Sequence, residues 1–400
     1  MGKDNPVSIE TPLVLRGRLV LPRGVLDDGV VVVDGATIVW VGPAERLPRG
    51  WVLPAVGDAT ILPGLVDVHC HGGGGASFPD AVDAADAQRA VDEHRRHGTT
   101  SLVASLVTAT PQVLLAQTAL LADLADAGEI VGIHLEGPFL SADRCGAQNP
   151  DDMLDGDPEL VRGIAEAARG HLVTMTVAPE VPGADAVLEA LVDAGAVPSI
   201  GHTDASAEQV DEAVDRAFDL LAARSNRRLT ATHLFNGMRP LHHRDPGPVA
   251  ACLAAAARGE LVVELIADGT HLADGTVRSV FDLVGAGSIA LVTDAMAAAG
   301  MPDGEYRLGP MAVRVADGVA RIADETAAIA GGVAHLLDIV RNVVAAGVPL
   351  EDAVLAAATV PADVLGRRDL GALAAGRRAD LVVTDDDLAP VRVMRGGAWV

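Results

Sequence analysis

From Leu62 to Asp294 the chain repeats a two-part pattern. Short, continuous apolar runs end near His71, Thr108, Glu136, Ala178, His202, Phe235, Ala267 and Asp294. Between them lie longer, Ala-rich stretches with apolar residues at helical spacing: Ala81–His97, Pro111–Ala127, Pro158–Arg169, Ala184–Ala194, Ala205–Ala223, Pro248–Arg258 and Asp274–Val284. A run that is apolar on both faces reads as a strand buried in a parallel sheet, and an amphipathic stretch as the helix that crosses over it. Eight such units predict an α/β fold closed into a (β/α)8, TIM-like barrel. The eighth helix would follow an insertion. Gly304–Ile322 reads as a hairpin, Gly332–Ala346 as a helix and Ala353–Val360 as a further helical turn or two.

Both ends of the chain carry a different pattern. Leu13–Leu15, Arg18–Leu21, Gly29–Val33 and Thr37–Val41 are short β runs, with Asp34-Gly35 as a hairpin turn. Ala379–Thr384, Val391–Met394 and Ala398–Val400 read the same way. Two β-rich ends around a different middle predict one small β-sandwich built from both termini. Its expected residues are 1–61 with 363–400, around a catalytic barrel of 62–362.

In such a barrel the functional side chains gather at the C-terminal ends of the strands. The first run ends in His69-Cys70-His71, followed by Gly72 to Gly75. Residues i and i+2 of a strand share a face, so the two imidazoles project together beside a loop that leaves room for a ligand. Glu136, His202, His233, His271 and Asp294 close or follow the third, fifth, sixth, seventh and eighth runs. A buried polar group is costly unless paired, so five histidines and two carboxylates at one rim point to a metal site rather than a core. Glu136, His202 and His233 offer the three-ligand set of an open catalytic site. His69 and His71 could hold a second ion, with Glu136 bridging. Asp294 is either a general base and acid or one more ligand. His134, two residues before Glu136, reads as a supporting or core residue.

Charge and composition narrow the partners. A net charge of −25 argues against a nucleic-acid surface, which needs a basic face. An anionic substrate would have to meet a local positive group, and arginine suits a phosphate. Lys3 is the only lysine, and Trp40, Trp51 and Trp399 all lie near the chain ends. That leaves little for a stacking platform and favours a small polar substrate. Cys70, Cys145 and Cys252 form no disulfide framework, which fits a reducing cytoplasm. No apolar run is long enough to span a bilayer, and Met1–Glu10 lacks the basic and apolar regions of a secretory signal.

Six segments, in chain order, carry a resemblance: Pro63-Gly64-Leu65-Val66-Asp67-Val68-His69-Cys70-His71-Gly72, His134-Leu135-Glu136-Gly137-Pro138-Phe139-Leu140, Gly201-His202-Thr203, Thr232-His233-Leu234-Phe235-Asn236-Gly237-Met238, Ala267-Asp268-Gly269-Thr270-His271 and Leu291-Val292-Thr293-Asp294-Ala295. The chain resembles the amidohydrolase superfamily and, within it, the N-acetylglucosamine-6-phosphate deacetylases. The resemblance implies a metal-dependent hydrolase of a linear amide. It would convert N-acetyl-D-glucosamine 6-phosphate to D-glucosamine 6-phosphate and acetate, in amino-sugar catabolism or cell-wall recycling. It implies one or two divalent ions, zinc or iron, with Glu136, His202 and His233 holding the ion common to all members. Asp294 would move the proton. Ala147, Gln148, Asn236, Gly237, His271, Ile329, Ala330 and Gly331 would meet the substrate. Arg244 would hold the phosphate, on a loop near the interface of a homodimer, although a solvated loop arginine reads the same way.

The chain departs from the family where Gln148 stands in place of a histidine found in many relatives. A glutamine can hydrogen-bond a hydroxyl or phosphate but carries no proton. Cys145 in the same segment either lines a mobile lid or is an incidental loop residue. The branch that bridges two metals with a carboxylated lysine is excluded, because the fourth strand has no lysine. Asp294-Ala295-Met296 fits poorly with adenosine-deaminase-like relatives, which carry paired aspartates. A different N-acyl amino sugar as substrate, or a non-catalytic scaffold on the same fold, are the alternatives.

Overall fold

The computed structural model describes residues 12–225 and 227–400. The stretch Met1–Glu10, read above for a leader, and Lys3 lie outside the described residues. Eight strands form one parallel sheet in chain order: β1 (Leu65–Cys70), β2 (Thr99–Leu106), β3 (Gly132–Glu136), β4 (Leu172–Val177), β5 (Val197–Ile200), β6 (Leu229–Ala231), β7 (Leu261–Leu265) and β8 (Ile289–Leu291). Every residue of β1 and β2 is buried, as their continuous apolar runs require. The barrel closes above β8. Cys70 bridges to Ala295 in parallel, the His71 amide donates to the Ala295 carbonyl at 2.7 Å and the Asp294 amide to the His69 carbonyl at 2.9 Å. The seam is therefore made by the same residues that carry the rim histidines.

Seven helices follow the first seven strands: α1 (Ala84–Arg96), α2 (Pro111–Asp126), α3 (Pro158–Ala167), α4 (Ala184–Asp193), α5 (Ala207–Arg224), α6 (Gly247–Arg258) and α7 (Asp274–Val284). Their apolar stripes share one core with the strands: Leu114 and Leu121 of α2 and Leu188 and Leu191 of α4 pack with Leu102, Ile133 and Leu172. Burying each such leucine contributes about 1.5–3 kcal/mol. Capping explains why two helices start later than their periodicity predicts. Asp83 is extended and accepts from the Asp86 amide, and Ser206 forms a capping box with Gln209. Each cap claims the residue just before its helix, so α1 begins at Ala84 rather than Ala81 and α5 at Ala207 rather than Ala205.

The two ends of the chain meet in a second sheet. Its order is Ala398–Trp399, Pro390–Arg395, Leu381–Thr384, Thr60–Pro63, Leu13–Leu21, Gly24–Asp34 and Thr37–Pro43. Thr60–Pro63 joins the halves. It pairs in parallel with Arg18 and Leu19 and antiparallel with Leu381–Thr384, so the strands of the small β domain form one hydrogen-bonded sheet. Leu19, Val31, Ile38, Ile61, Leu381 and Met394 make its main core.

Two insertions after β8 differ from their sequence reading. Gly304–Leu308, Met311–Ala316 and Val319–Ile322 form three antiparallel strands, one more than a hairpin, because Asp317-Gly318 makes a second tight turn at φ 52° and 72°. After α8 (Leu336–Ala345), the chain is helical from Leu350 to Val364, with a π-helical turn at Leu355–Thr359. No helix among the described residues is long and apolar enough to cross a membrane.

Candidate metal and substrate site

Glu136 ends β3 and is buried. Its Oε1 lies 2.9 Å from His202 Nε2 and 2.7 Å from His233 Nε2. Its Oε2 lies 3.2 Å from His71 Nε2 and 3.9 Å from His69 Nε2. Asp294 Oδ1 completes the second group, 3.3 Å from His69 Nε2 and 3.2 Å from His71 Nε2. One carboxylate thus touches two donor clusters: Glu136–His202–His233, and His69–His71–Asp294.

The backbone reaches these positions at a cost. His202, His233 and Asp294 lie beyond the ends of β5, β6 and β8, with φ of 46°, 26° and 46°. Side-chain-bearing residues adopt this left-handed region sparingly, and such strain gathers at functional sites. The sequence reading that ends the strands at His202, Phe235 and Asp294 is corrected here. The chain turns out of the sheet earlier so that these side chains point to a common centre. Gly237, at φ 60°, allows the approach: a Cβ there would stand 2.7 Å from His202 Nδ1.

The partners of each Nδ1 decide which nitrogen faces the centre. His71 Nδ1 donates to the Ser105 carbonyl at 3.2 Å and His202 Nδ1 to the Arg144 carbonyl at 2.8 Å. His69 Nδ1 faces Glu264 Oε2 at 3.1 Å. In the neutral tautomers so fixed, Nε2 presents a lone pair inward. His69 Nε2 and His71 Nε2 then stand 3.0 Å apart, an arrangement that requires a cation or a proton between them. Electrostatics agree. Burial disfavours charge on His69, yet Asp294, Glu264 and Glu136 together push it up to about 10. Burial likewise disfavours ionised Asp294, yet His69 and His71 hold it at about 2. Glu136 is held well below the usual range against its burial by His202, His233 and His71. A metal would take these lone pairs on the neutral rings, and its binding would release any proton held there. The donor set fits a divalent ion with nitrogen and oxygen ligands.

A cavity of about 270 Å³ opens over Asp294, lined by His71, Glu136, His202 and His233. Of the predicted substrate residues, Ala147, Gln148, Asn236, Gly237, His271, Ile329 and Gly331 line it. Ala330 is fully buried behind them. Arg244 is not in the lining. It is exposed on the loop after Met238, with Nη1 2.8 Å from His243 Nε2, and among the described residues no arginine or lysine lines the cavity. Cys145 is also outside the lining, although its neighbour Gly146 is in it.

Gln148 makes one hydrogen bond at each end of its amide. Its Oε1 accepts from the Thr108 amide at 2.8 Å and its Nε2 donates to Glu136 Oε2 at 2.5 Å. Gln148 lines the cavity, and an amide with one bond at each end keeps a second N–H and a second lone pair for a hydroxyl or phosphate. His134 sits deeper, between Ser105 Oγ at 3.0 Å and Thr176 Oγ1 at 2.9 Å. Burial and the nearby His69 hold it neutral.

Three acids, the buried Asp67 and Glu264 and the half-buried Asp268, were missed in the sequence. Asp67 accepts from Thr293 Oγ1 at 2.6 Å and clamps β1 to the segment after β8. Glu264 backs His69. Asp268 Oδ2 accepts from His271 Nδ1 at 2.8 Å, which leaves His271 Nε2 for the cavity. For Asp67 and Glu264 the available signal was a charge inside an apolar run, the same signal that marked Glu136. A separate group, Glu93, His97 and His335, also converges. There the two imidazoles stack at 3.6 Å and 12°, so their planes cannot both contain one ion.

Residues 60–400 match the Amidohydrolase family. The chain is 35% identical over 344 residues to N-acetylglucosamine-6-phosphate deacetylase of Lysinibacillus sphaericus, covering 84% of each chain. It is 32% identical over 321 residues to that of Bacillus subtilis, covering 76% of each. Among solved structures it is similar to N-acetyl-D-glucosamine-6-phosphate deacetylase of Mycobacterium smegmatis, an aspartate-to-alanine variant in complex with N-acetyl-D-glucosamine 6-phosphate. The TM-score there is 0.90 at 42% identity, covering 98% of this chain and 99% of that one.

Proposed function

We propose, because the chain belongs to the amidohydrolase family and to its N-acetylglucosamine-6-phosphate deacetylases, that it hydrolyses N-acetyl-D-glucosamine 6-phosphate to D-glucosamine 6-phosphate and acetate. The observation that carries this reading is the shared carboxylate of Glu136, with Asp294 on the open side of the two clusters it joins. Glu136, His202 and His233 would hold one divalent ion, and His69 and His71 a second with Glu136 between. The nitrogen and oxygen donors suit zinc or ferrous iron. A bound ion of this kind supplies Lewis-acid polarisation of a carbonyl and acidification of a water.

The chain's own residues supply the rest. Asp294 is anionic and within reach of the cavity, so it accepts the proton of the attacking water. It then returns that proton to the departing nitrogen, because an amine leaves readily only when protonated. His271 is fixed by Asp268 with Nε2 toward the cavity. Burial opposes its imidazolium, yet Asp268 favours it, and in that form Nε2 donates to the amide carbonyl oxygen. Asn236, Gly237, Ala147, Ile329 and Gly331 shape the sugar site. Gln148 orients Glu136 and also faces the sugar site. The reading is tested by incubating the purified protein with N-acetyl-D-glucosamine 6-phosphate. Equimolar acetate and primary amine are expected, and absence of either would refute it.

The phosphate needs a cation, and among the described residues none lines the cavity. Arg244 on its exposed loop is the candidate, reaching the site of a second copy in a homodimer. Arg244→Ala is then expected to raise KM for the phosphorylated substrate about tenfold or more with little change in kcat. A fully active monomer in sedimentation at assay concentration would remove this assignment.

A further inference from the structure

Four imidazoles face the two donor clusters, and what stands behind each is different. His71 and His202 are backed by backbone carbonyls, Ser105 and Arg144. His233 Nδ1 is buried and has no partner among the described residues. His69 alone is backed by a carboxylate, Glu264, at 3.1 Å. Glu264 lies on β7 and is 2% exposed. The same oxygen accepts from the His233 amide at 3.3 Å. Among the described residues no arginine or lysine pairs with it, and its one ion-pair partner is His69.

A buried carboxylate without a cation is expensive. A buried ion at His69 and His71 would supply the compensating charge one ring away. A carboxylate behind a ligand imidazole also fixes the tautomer and raises the basicity of the coordinating nitrogen. The other three imidazoles lack that support, so the effect falls on one cluster only. We propose that Glu264 is the positioning residue that sets occupancy of the second metal position, the one at His69 and His71, independently of the first at His202 and His233. The proposal rests on the two-ion reading given above.

The test uses the full chain, stripped with a chelator and titrated with zinc, with bound metal counted by mass spectrometry and site affinities taken from calorimetry. Wild type is expected to bind two ions. In Glu264→Gln the tighter ion should be held as before, while the weaker one should lose about 10- to 100-fold in affinity, the usual effect of an outer partner. His69→Gln serves as the reference for a chain without the second position. Glu264→Asp, which restores the charge at a longer reach, should recover part of the lost affinity. Circular dichroism on each variant separates this from misfolding, and only Glu264→Gln samples with the wild-type spectrum are compared. If that variant binds two ions with wild-type affinities, Glu264 has no such role and the two-ion reading stands. If wild type itself binds one ion at saturating zinc, the two-ion reading fails and the role of Glu264 fails with it. Equal weakening at both positions would also overturn the proposal, because it would make Glu264 a general support of the rim.

Discussion

Asp294→Asn is expected to lower kcat by about a thousandfold, within the range typical of a lost general acid–base, while leaving the metal content unchanged. The side chain keeps its size and still offers a carbonyl oxygen 3.2–3.3 Å from His71 and His69 Nε2, so an ion between them would lose little. What it loses is the capacity to take a proton and give it back. Both halves of amide hydrolysis need that one group, since the water must lose a proton and the amine must gain one. Burial opposes ionisation of Asp294, and the positive groups facing it, His69 and His71, favour its anion. Metal loss in this variant would instead make Asp294 a ligand first. Turnover within tenfold of wild type would remove it from the proton path.

Glu136→Ala is expected to lose both ions and reduce turnover to background. Its two oxygens serve different clusters: Oε1 faces His202 and His233, and Oε2 faces His71 and His69. Outer partners of a ligand are worth 10- to 100-fold in metal affinity, so a shared inner ligand should be worth more than about 100-fold at each position. Gln148 Nε2 would also lose its acceptor at 2.5 Å, which adds an unsatisfied buried donor. Metal analysis after dialysis, with a thermal melt in the presence and absence of added zinc, checks this. Zinc stabilises wild type by binding only the folded chain, and the variant should show no such shift. A variant that keeps one tightly bound ion would show that the two clusters do not share Glu136.

Much of this was legible in the sequence because the signals were local. Apolar runs ending in His69, Glu136, His202, His233 and Asp294 gave the barrel strands and the rim together. The alternation with amphipathic stretches placed seven helices to within a few residues. What was not legible depended on pairing or on backbone conformation. Nothing in the sequence says that Thr60–Pro63 would join two halves of one sheet. The left-handed φ of His202, His233 and Asp294 is invisible to hydrophobic periodicity, which therefore carried the strands too far. The contacts of Gln148 with Thr108 and Glu136 depend on residues 40 and 12 positions away, which its own chemistry does not reveal. Glu264 and Asp67 were passed over because the side chains they pair with are not their neighbours in the chain. Their partners, His69 and Thr293, are 195 and 226 residues away.

The most direct test of the account compares kcat/KM for acetate release from N-acetylglucosamine 6-phosphate and from unphosphorylated N-acetylglucosamine, on one preparation whose metal content is measured. A phosphate held by a guanidinium contributes roughly 1.5–3 kcal/mol through charge-assisted hydrogen bonds, so the phosphorylated sugar is expected to be favoured by at least about tenfold. Activity should vanish on chelation and return with added metal. Failure to release acetate from either sugar by a fully metal-loaded, folded sample would contradict the account.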